Sequence, residues 1–583
     1  MMLSLPFVRW LSAVLLGSSL SVALAAQAPR IGLVLGGGGA RGAAHIGVLE
    51  VLERLRVPVH CVAGTSMGAL VAGAWAAGVS PERMRGELTV ADWADLFIDS
   101  PDYRELSLRN KQIVQRFLPG SEIGLTAQGL TAPPGVVAGQ KLKLFFNQLV
   151  RADLGEPDLA QLALPVALIA TDIGSGARVV FRSGPLTQAM RASMSVPGLL
   201  APADIDGRKL VDGGLVDNLP VAEVRDLCHP DVVIAVNVGT PLLKADEVGS
   251  LLSVTAQMVN ILTEQNVTRS IAMLGPRDIY LRPVLDGIGA SDFERHAEAA
   301  DRGRAAAQAL APRLAELSLP PADYAAWQQR FVQTSRLPPR VDSIEIAGLQ
   351  RVPADIIRGQ LRQQTGQTLD TSRLARDLVR VFGDGDFEGV DYSLVAQGSG
   401  NLLRITPIEK RWGPEYLRLG LALSSTLSQG ASYSLRAAWH RTWINHWGGQ
   451  LLAVGELGNT NGVSGEWLQP IGVTSPWFVD ASLGYRRQRL DLFAGDDRIA
   501  EYVIERSSIR FDTGLNVGTL GQLLLGWHAT RWQPQLSTGL PVFGAERARH
   551  HGLVAQLELD RMYRRFFPTD GWSLRTVLAD NSG

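Results

Sequence analysis

Hydrophobic positions change their spacing twice along the chain, and the changes mark successive regions. Between residues 30 and about 315, short apolar runs alternate with stretches of helical spacing. Arg30–Leu35, Val59–Ala63, Leu164–Thr171, Asp231–Val238 and Asp278–Leu281 predict strands, whereas Ala43–Leu55 and Gly68–Ala77 repeat their apolar residues at the helical period and predict helices. Strand–helix alternation of this kind predicts a layered α/β domain with a mostly parallel sheet over residues 26–315. Residues 316–340 form a linker in which Pro320-Pro321 and Pro338-Pro339 bracket Trp327 and Phe331, spaced for one face of a short packed helix. Residues 341–410 predict a small β-α-α-β-β unit. Its elements are the strand Val341–Ile346, helices Pro353–Gln363 and Thr371–Val381 (the second capped by Thr371 or Asp370), and a hairpin of Tyr392–Gln397 and Asn401–Pro407.

From residue 411 the period becomes two. Tyr416–Ser424, Ala431–Trp443, Gln450–Leu457, Phe478–Gln488, Val503–Asn516 and Leu553–Met562 alternate apolar and polar residues between Gly/Asn/Asp breaks, with Trp439, Trp443, Trp447, Trp467, Trp477, Trp527 and Trp532 among them. Long alternating strands with aromatics near their ends predict an antiparallel membrane β-barrel over residues 411–583; a soluble sandwich or barrel uses the same alternation.

Composition narrows the function classes. A chain of 583 residues has room for about three to five domains. A formal net charge of −1 provides no field that would recruit nucleic acid. The two cysteines, Cys61 and Cys228, lie in apolar surroundings with no zinc-type spacing, and buried free thiols are favoured over a disulfide. Arg9, the apolar run Trp10–Leu24 and the small-x-small triplet Ala23-Leu24-Ala25 predict a signal peptide over residues 1–25, hence export.

Three motifs carry chemistry. Gly64-Thr65-Ser66-Met67-Gly68 lies between a strand and a helix, the context of a nucleophile elbow: the sharp turn projects the Ser66 hydroxyl outward. Gly36-Gly37-Gly38-Gly39-Ala40-Arg41-Gly42 follows the first strand and opens a helix. A dinucleotide-binding reading is weak, because Glu50 and Glu53 fall inside that helix, too early for a ribose-binding acid. An oxyanion hole built from the Gly37, Gly38 and Gly39 amides is favoured, with Arg41 steadying the loop, attracting phosphate or standing as an ordinary surface arginine. Asp212-Gly213-Gly214 ends a short apolar strand and places a carboxylate with flexible neighbours. Serine needs a base, and none of His45, His60, His229 or His296 occupies a recognisable catalytic loop, so Asp212 is the candidate.

Together with Ala170-Thr171-Asp172 and Arg191-Ala192-Ser193-Met194-Ser195-Val196-Pro197-Gly198, these motifs resemble the patatin-like phospholipase family in order and content. The resemblance implies a Ser66–Asp212 dyad without histidine and the Gly37–Gly39 oxyanion hole, with Arg41, Gly42, Gly64, Gly68, Gly213 and Gly214 as supporting positions, and neither metal nor other cofactor. Residues 341–410 resemble a polypeptide-transport-associated (POTRA) domain. The strands from 411, with Phe566-Phe567-Pro568-Thr569-Asp570-Gly571, resemble an Omp85-class barrel. An exported hydrolase fused to both resembles the patatin-like autotransporter (type V secretion) arrangement. That arrangement implies a phospholipid or other acyl-ester substrate, outer-membrane lipids and the barrel-assembly machinery as partners, and an enzyme domain displayed or secreted at the cell surface. Such a barrel holds about sixteen strands, whereas residues 411–583 have room for about eight or nine and end in Asp580-Asn581-Ser582-Gly583 rather than an aromatic; a truncated, unclosed barrel is therefore expected. The alternatives are a thioesterase or other acyl hydrolase, and a surface adhesin or transport module on an inert hydrolase fold.

Overall fold

Apolar strands buried on both faces organise the N-terminal half. The computed structural model describes residues 28–582 apart from 119–121, 152–155, 332–337, 399, 427–429, 496, 543, 545 and 565; the expected signal peptide lies outside the described residues. In chain order the first strands are β1 (Ile31–Leu35), β2 (Val59–Thr65), the short hairpin β3 (Ile123–Thr126) and β4 (Gly129–Thr131), β5 (Val166–Asp172), β6 (Arg178–Phe181), β7 (Ala203–Ile205), β8 (Arg208–Asp212), β9 (Val232–Val236) and β10 (Ile279–Leu281). Eight of them form one sheet in the order β10-β9-β1-β2-β5-β8-β7, with β6 on β5. The run from β10 to β5 is parallel; β6, β7 and β8 add antiparallel pairs.

Helices cover both faces, which is why these strands read as continuous apolar runs. Ile31, Leu33 and Leu35 face a core shared with helices Ala44–Arg54 and Met67–Ala76. Val34, Cys61 and Ala63 face a second core, with Val221, Val224 and Val267. Each fully buried Ile, Leu or Val side chain among these contributes about 1.5–3 kcal/mol. The helix Pro321–Gln329, inside the expected linker, packs Tyr324 and Trp327 onto the first core, with the Phe331 ring 4.6 Å from that of Trp327.

The small unit has the β-α-α-β-β order: β11 (Ser343–Ile346), helices Ala354–Gln360 and Thr371–Gly383, β12 (Phe387–Gln397) and β13 (Gly400–Glu409), with β13 in the middle of the sheet. Asp370, not Thr371, caps the second helix, accepting from the Arg373 amide at 2.9 Å. This unit docks on the helix Gln140–Leu149 of the N-terminal domain. The Gln140 side chain donates to the Val390 carbonyl and accepts from the Val390 amide, each at 2.7 Å.

Nine antiparallel strands follow: β14 (Glu415–Thr426), β15 (Gly430–Arg441), β16 (Gln450–Gly458), β17 (Thr460–Pro470), β18 (Trp477–Ala494), β19 (Asp497–Val517), β20 (Gly521–Gly539), β21 (Ala548–Asp560) and β22 (Ser573–Ser582). Each pairs with the next, and alternate residues divide by polarity. Leu419, Leu421, Leu435, Leu457, Trp467, Leu483, Phe511, Leu525 and Trp527 are exposed, whereas His440, Glu456, Asp480, Asp512 and Asp560 are buried. The sheet is larger than residues 411–583 alone predicted. The β3–β4 hairpin of the N-terminal domain joins the edge of β14, giving eleven strands, and among the described residues β22 pairs with β21 but not with β14.

One expectation is corrected. Cys61 and Cys228 are a disulfide rather than free thiols. Sequence separation of 167 residues conceals that β2 and the end of helix Val221–Cys228 pack side by side, with the two Cα atoms 6.1 Å apart, within bridging range. The bond ties β2, which leads to Ser66, to the helix after the Asp212 turn. The oxidised protein, denatured without reductant, should therefore titrate no free thiol, and two after reduction. Cys228→Ser should cost about 2–4 kcal/mol of the N-terminal domain's stability. Two titratable thiols in protein produced in an oxidising compartment would contradict the pairing.

Candidate active site

The sheet brings three strand ends to one place. Ser66 sits at the end of β2 with φ 55° and ψ −125°, a left-handed setting rare for a residue with a side chain, and immediately precedes helix Met67–Ala76. The glycines on either side permit it: a Cβ on Gly64 would come 2.3 Å from the Gly68 carbonyl oxygen, and one on Gly68 would come 2.1 Å from that of Leu35. Strain of this type costs on the order of 1–3 kcal/mol and persists only where the surroundings over-determine it. Here the Ser66 amide donates to the buried Ser193 hydroxyl at 2.8 Å, and Thr65 Oγ1 donates to the Asp217 carbonyl at 2.8 Å.

Asp212 ends β8, and the structure brings it onto Ser66. Ser66 Oγ donates to Asp212 Oδ2 at 2.6 Å, and the Gly214 amide donates to Oδ1 at 2.7 Å. Three further contacts fix the Asp212 backbone: antiparallel pairing with Ala170, its amide donating to the Ser195 carbonyl at 2.9 Å, and Thr171 Oγ1 donating to its carbonyl at 2.8 Å. Burial pushes the Asp212 carboxyl up to about 6, against the opposing effect of its hydrogen bonds from Ser66 and Gly214. Gly213 lies against the Ile169 carbonyl, where a Cβ would stand 2.3 Å away.

The glycine loop leads from β1 past this pair. A Cβ on Gly37 would come 3.0 Å from Ser66 Cβ, so the loop's backbone borders the serine directly. The Gly37 amide is already donated to the Asn218 carbonyl at 3.2 Å. The amides of Gly38 and Gly39, which open the 3-10 turn Gly39–Ala43, donate to no protein acceptor among the described residues. Arg41 is a loop clamp, not a surface arginine: it is buried, and its guanidinium donates to the carbonyls of Val238 (3.0 Å), Leu285 (2.9 Å) and Ile288 (2.8 Å). Gly42 faces Met67, the residue after the serine.

The histidines are engaged elsewhere. His45 Nε2 is 2.7 Å from the Gly36 carbonyl, which can only accept, so Nε2 carries the proton. Burial lowers His45 to about 4, leaving it neutral, so it anchors the first residue of the glycine loop. His60 Nδ1 accepts from the Ile31 amide, His296 contacts Phe293 and Thr89, and His229 ends a helix in a left-handed conformation. Four supports lacked any assigned role at the level of sequence: Ser193, Ser195, Asn218 and Arg191. Asn218 Nδ2 donates to the Gly37 carbonyl at 3.2 Å. The Arg191 guanidinium donates to the carbonyls of Ala138 (2.7 Å) and Ala201 (2.9 Å) and to the Ser195 hydroxyl. The Arg191–Gly198 motif signalled Arg191, Ser193 and Ser195 by composition, but only the folded register shows that Ser193 holds Ser66 and Ser195 holds Asp212.

Comparison with known proteins places this geometry. Residues 33–225 match the family model described as patatin-like phospholipase. An uncharacterized NTE family protein of Mycobacterium tuberculosis is 36% identical over 211 residues, which are 36% of this chain and 49% of the relative. Lysophospholipase nte1 of Emericella nidulans is 30% identical over 286 residues, covering 45% of this chain and 17% of the relative. The chain thus spans about half the length of the first relative and less of the second. Among solved structures, BamA from Haemophilus ducreyi aligns with a TM-score of 0.31 at 16% identity, over 42% of this chain and 48% of BamA. The glycine loop, Ser66 and Asp212 all lie within residues 33–225, the stretch that is similar to a patatin-like phospholipase.

Proposed function

We propose that the protein is a serine lipid acyl hydrolase of the phospholipase A type. Ser66 is the nucleophile, Asp212 its base, and the glycine loop the oxyanion hole. The observation that carries this reading is the 2.6 Å hydrogen bond from Ser66 Oγ to a buried carboxylate, at an elbow residue with positive φ. Asp212 takes the hydroxyl proton as Oγ attacks the ester carbonyl. The amides of Gly38 and Gly39 hold the oxygen on which charge develops. Asp212 then returns the proton to the departing alcohol, leaving an acyl group on Ser66. Water, deprotonated by the same carboxylate, attacks that ester and releases the fatty acid. A carboxylate raised to about 6 is a stronger base than an exposed aspartate and remains ionised at neutral pH.

The same proposal extends to the arrangement of the chain. The β-α-α-β-β unit serves as a POTRA domain, and the outward-apolar strands from β14 onward belong to an outer-membrane barrel assembled by the barrel-assembly machinery, on which the hydrolase is carried. Polarity alternation in the sheet supports the membrane reading, and the Cys61–Cys228 disulfide fits an oxidising compartment outside the cytoplasm.

Ser66→Ala should reduce turnover of a phospholipid or short acyl ester by at least ~10³-fold with the fold intact, and Asp212→Asn should do so comparably, because the two act as a unit. Single substitutions of His60, His229 and His296 should leave most activity. A cleanly folded Ser66→Ala protein that still hydrolyses esters would sink the assignment.

The shift on Asp212 predicts the pH profile. Only the ionised carboxylate accepts the serine proton, so kcat/KM should rise tenfold per pH unit below about 6 and level off above it. For stability the sign is opposite. The folded value lies above the ordinary one of about 3.9, so the fold favours the neutral carboxyl and loses stability as pH rises through about 6. Asp212→Asn should therefore melt at or above the wild-type temperature at pH 8, with the difference closing towards pH 4. A variant that melts well below wild type at pH 8 would show that the charge is structural.

A further inference from the structure

Between Ser66 and Asp212 the chain leaves the hydrolase core and crosses to the C-terminal sheet. Residues 101–131 make this excursion, and their contacts are chemically matched to what they meet. Helix Leu108–Arg116 lies over the polar face of the sheet. Arg109 pairs with Glu466 on β17, and its Nε reaches Gln450 Oε1 at 3.5 Å; Arg116 lies 3.6 Å from the other Glu466 oxygen. Lys111 is fully buried, its ammonium donating to the Asp560 carbonyl at 2.6 Å and lying 5.2 Å from the centre of the Tyr103 ring. Tyr103 donates to the Asp560 carboxylate at 3.3 Å, and Arg104 pairs with Asp570. Four basic residues of the segment thus meet acids of the sheet or their backbone. Ile113 and Phe117 add an apolar contact with Ala438 and Leu452.

The second half of the segment meets the edge of β14. The Leu118 amide donates to the Leu419 carbonyl at 2.7 Å, and β3 pairs antiparallel with β14 at Ile123↔Leu417 and Gly124↔Tyr416. Two glycines allow this approach: a Cβ on Gly124 would come 2.1 Å from the Trp412 carbonyl oxygen, and one on Gly420 would come 2.5 Å from that of Arg116. Glu122 pairs with both Lys410 and Arg418, each at 2.7 Å.

We propose that residues 101–131 are an intramolecular docking element: the basic helix Leu108–Arg116 plugs the polar face of the C-terminal sheet, and the β3–β4 hairpin caps the edge of β14. Burying Lys111 requires a designed receptor, because an unpartnered ammonium costs several kcal/mol to take out of water. The Asp560 carbonyl and the Tyr103 ring supply one. An open strand edge likewise pairs with whatever backbone is offered, and here the hydrolase domain offers it. Two consequences follow. The hydrolase domain is held to the sheet independently of the connecting segment 332–337, and any other strand that pairs with β14 must first displace β3.

The test uses the full chain, inserted in membranes or detergent, with a site-specific protease sequence placed within residues 332–337. In an Ile123→Cys/Leu417→Cys variant, mild oxidation followed by cleavage should leave the two fragments as one band without reductant and two bands with it. Ile123→Cys with Leu557→Cys, on the distant β21, should yield separate fragments. Adding Arg109→Glu and Lys111→Glu should lower the Ile123–Leu417 cross-link at least fivefold. Ester hydrolysis and protease resistance of the sheet, measured in parallel, report folding of each half. Absence of the cross-link with both halves folded would overturn the edge cap. An undiminished cross-link after the double charge reversal would overturn the plug. Neither result bears on whether Ser66 is the nucleophile.

Discussion

The hydrogen bond between Ser66 and Asp212 is the constraint around which the N-terminal half is organised. It joins two strand ends separated by 146 residues and places a carboxylate away from water, with the Ser66 hydroxyl and one backbone amide as its donors. That environment gives the aspartate its raised proton affinity, and no histidine is needed to bridge it to the serine. The arrangement tolerates little error, because an aspartate side chain is short and a displacement of about 1 Å would break the contact. The surrounding bonds can be understood as the means of preventing that error. Ser193 holds one partner's backbone, Ser195 and Thr171 hold the other's, and the disulfide closes the frame behind them.

The glycine loop depends on the same frame from the other side. His45, Asn218 and Arg41 hold its carbonyls or its approach, and among the described residues the Gly38 and Gly39 amides donate to no protein acceptor. The three units are also interlocked. Helix Gln140–Leu149 joins the hydrolase to the small unit, and residues 101–131 join it to the sheet, while Glu105 within that segment pairs with Arg380 of the small unit at 2.9 Å.

Features set by local pattern were legible before folding. The five parallel strands are buried on both faces and announce themselves as apolar runs. The β-α-α-β-β order followed from period and capping, and six of the nine strands from β14 to β22 followed from alternation. Thr460–Pro470, Gly521–Gly539 and Ser573–Ser582 were not among them: the first is rich in glycine and polar residues, and the second carries Pro534 and a run of polar residues around Arg531, which blur a period of two. Ser66, Asp212 and the glycine loop were legible because strand, turn and helix context accompanied each motif. What the pattern could not show were pairings between distant segments. Cys61 and Cys228 looked like separate thiols, and Gly37 looked equivalent to its neighbours although its amide belongs to Asn218. Residues 101–131 looked like part of the hydrolase domain because a basic helix carries no mark of the acidic face it will meet.

The most direct test of the central claim is to treat the oxidised, folded protein with a lipid-like organophosphonate and locate the adduct by peptide mass spectrometry. Activation by Asp212 predicts a single adduct on Ser66 and loss of labelling in Asp212→Asn. An adduct on Ser193 or Ser195, or undiminished labelling of Ser66 in that variant, would contradict the account.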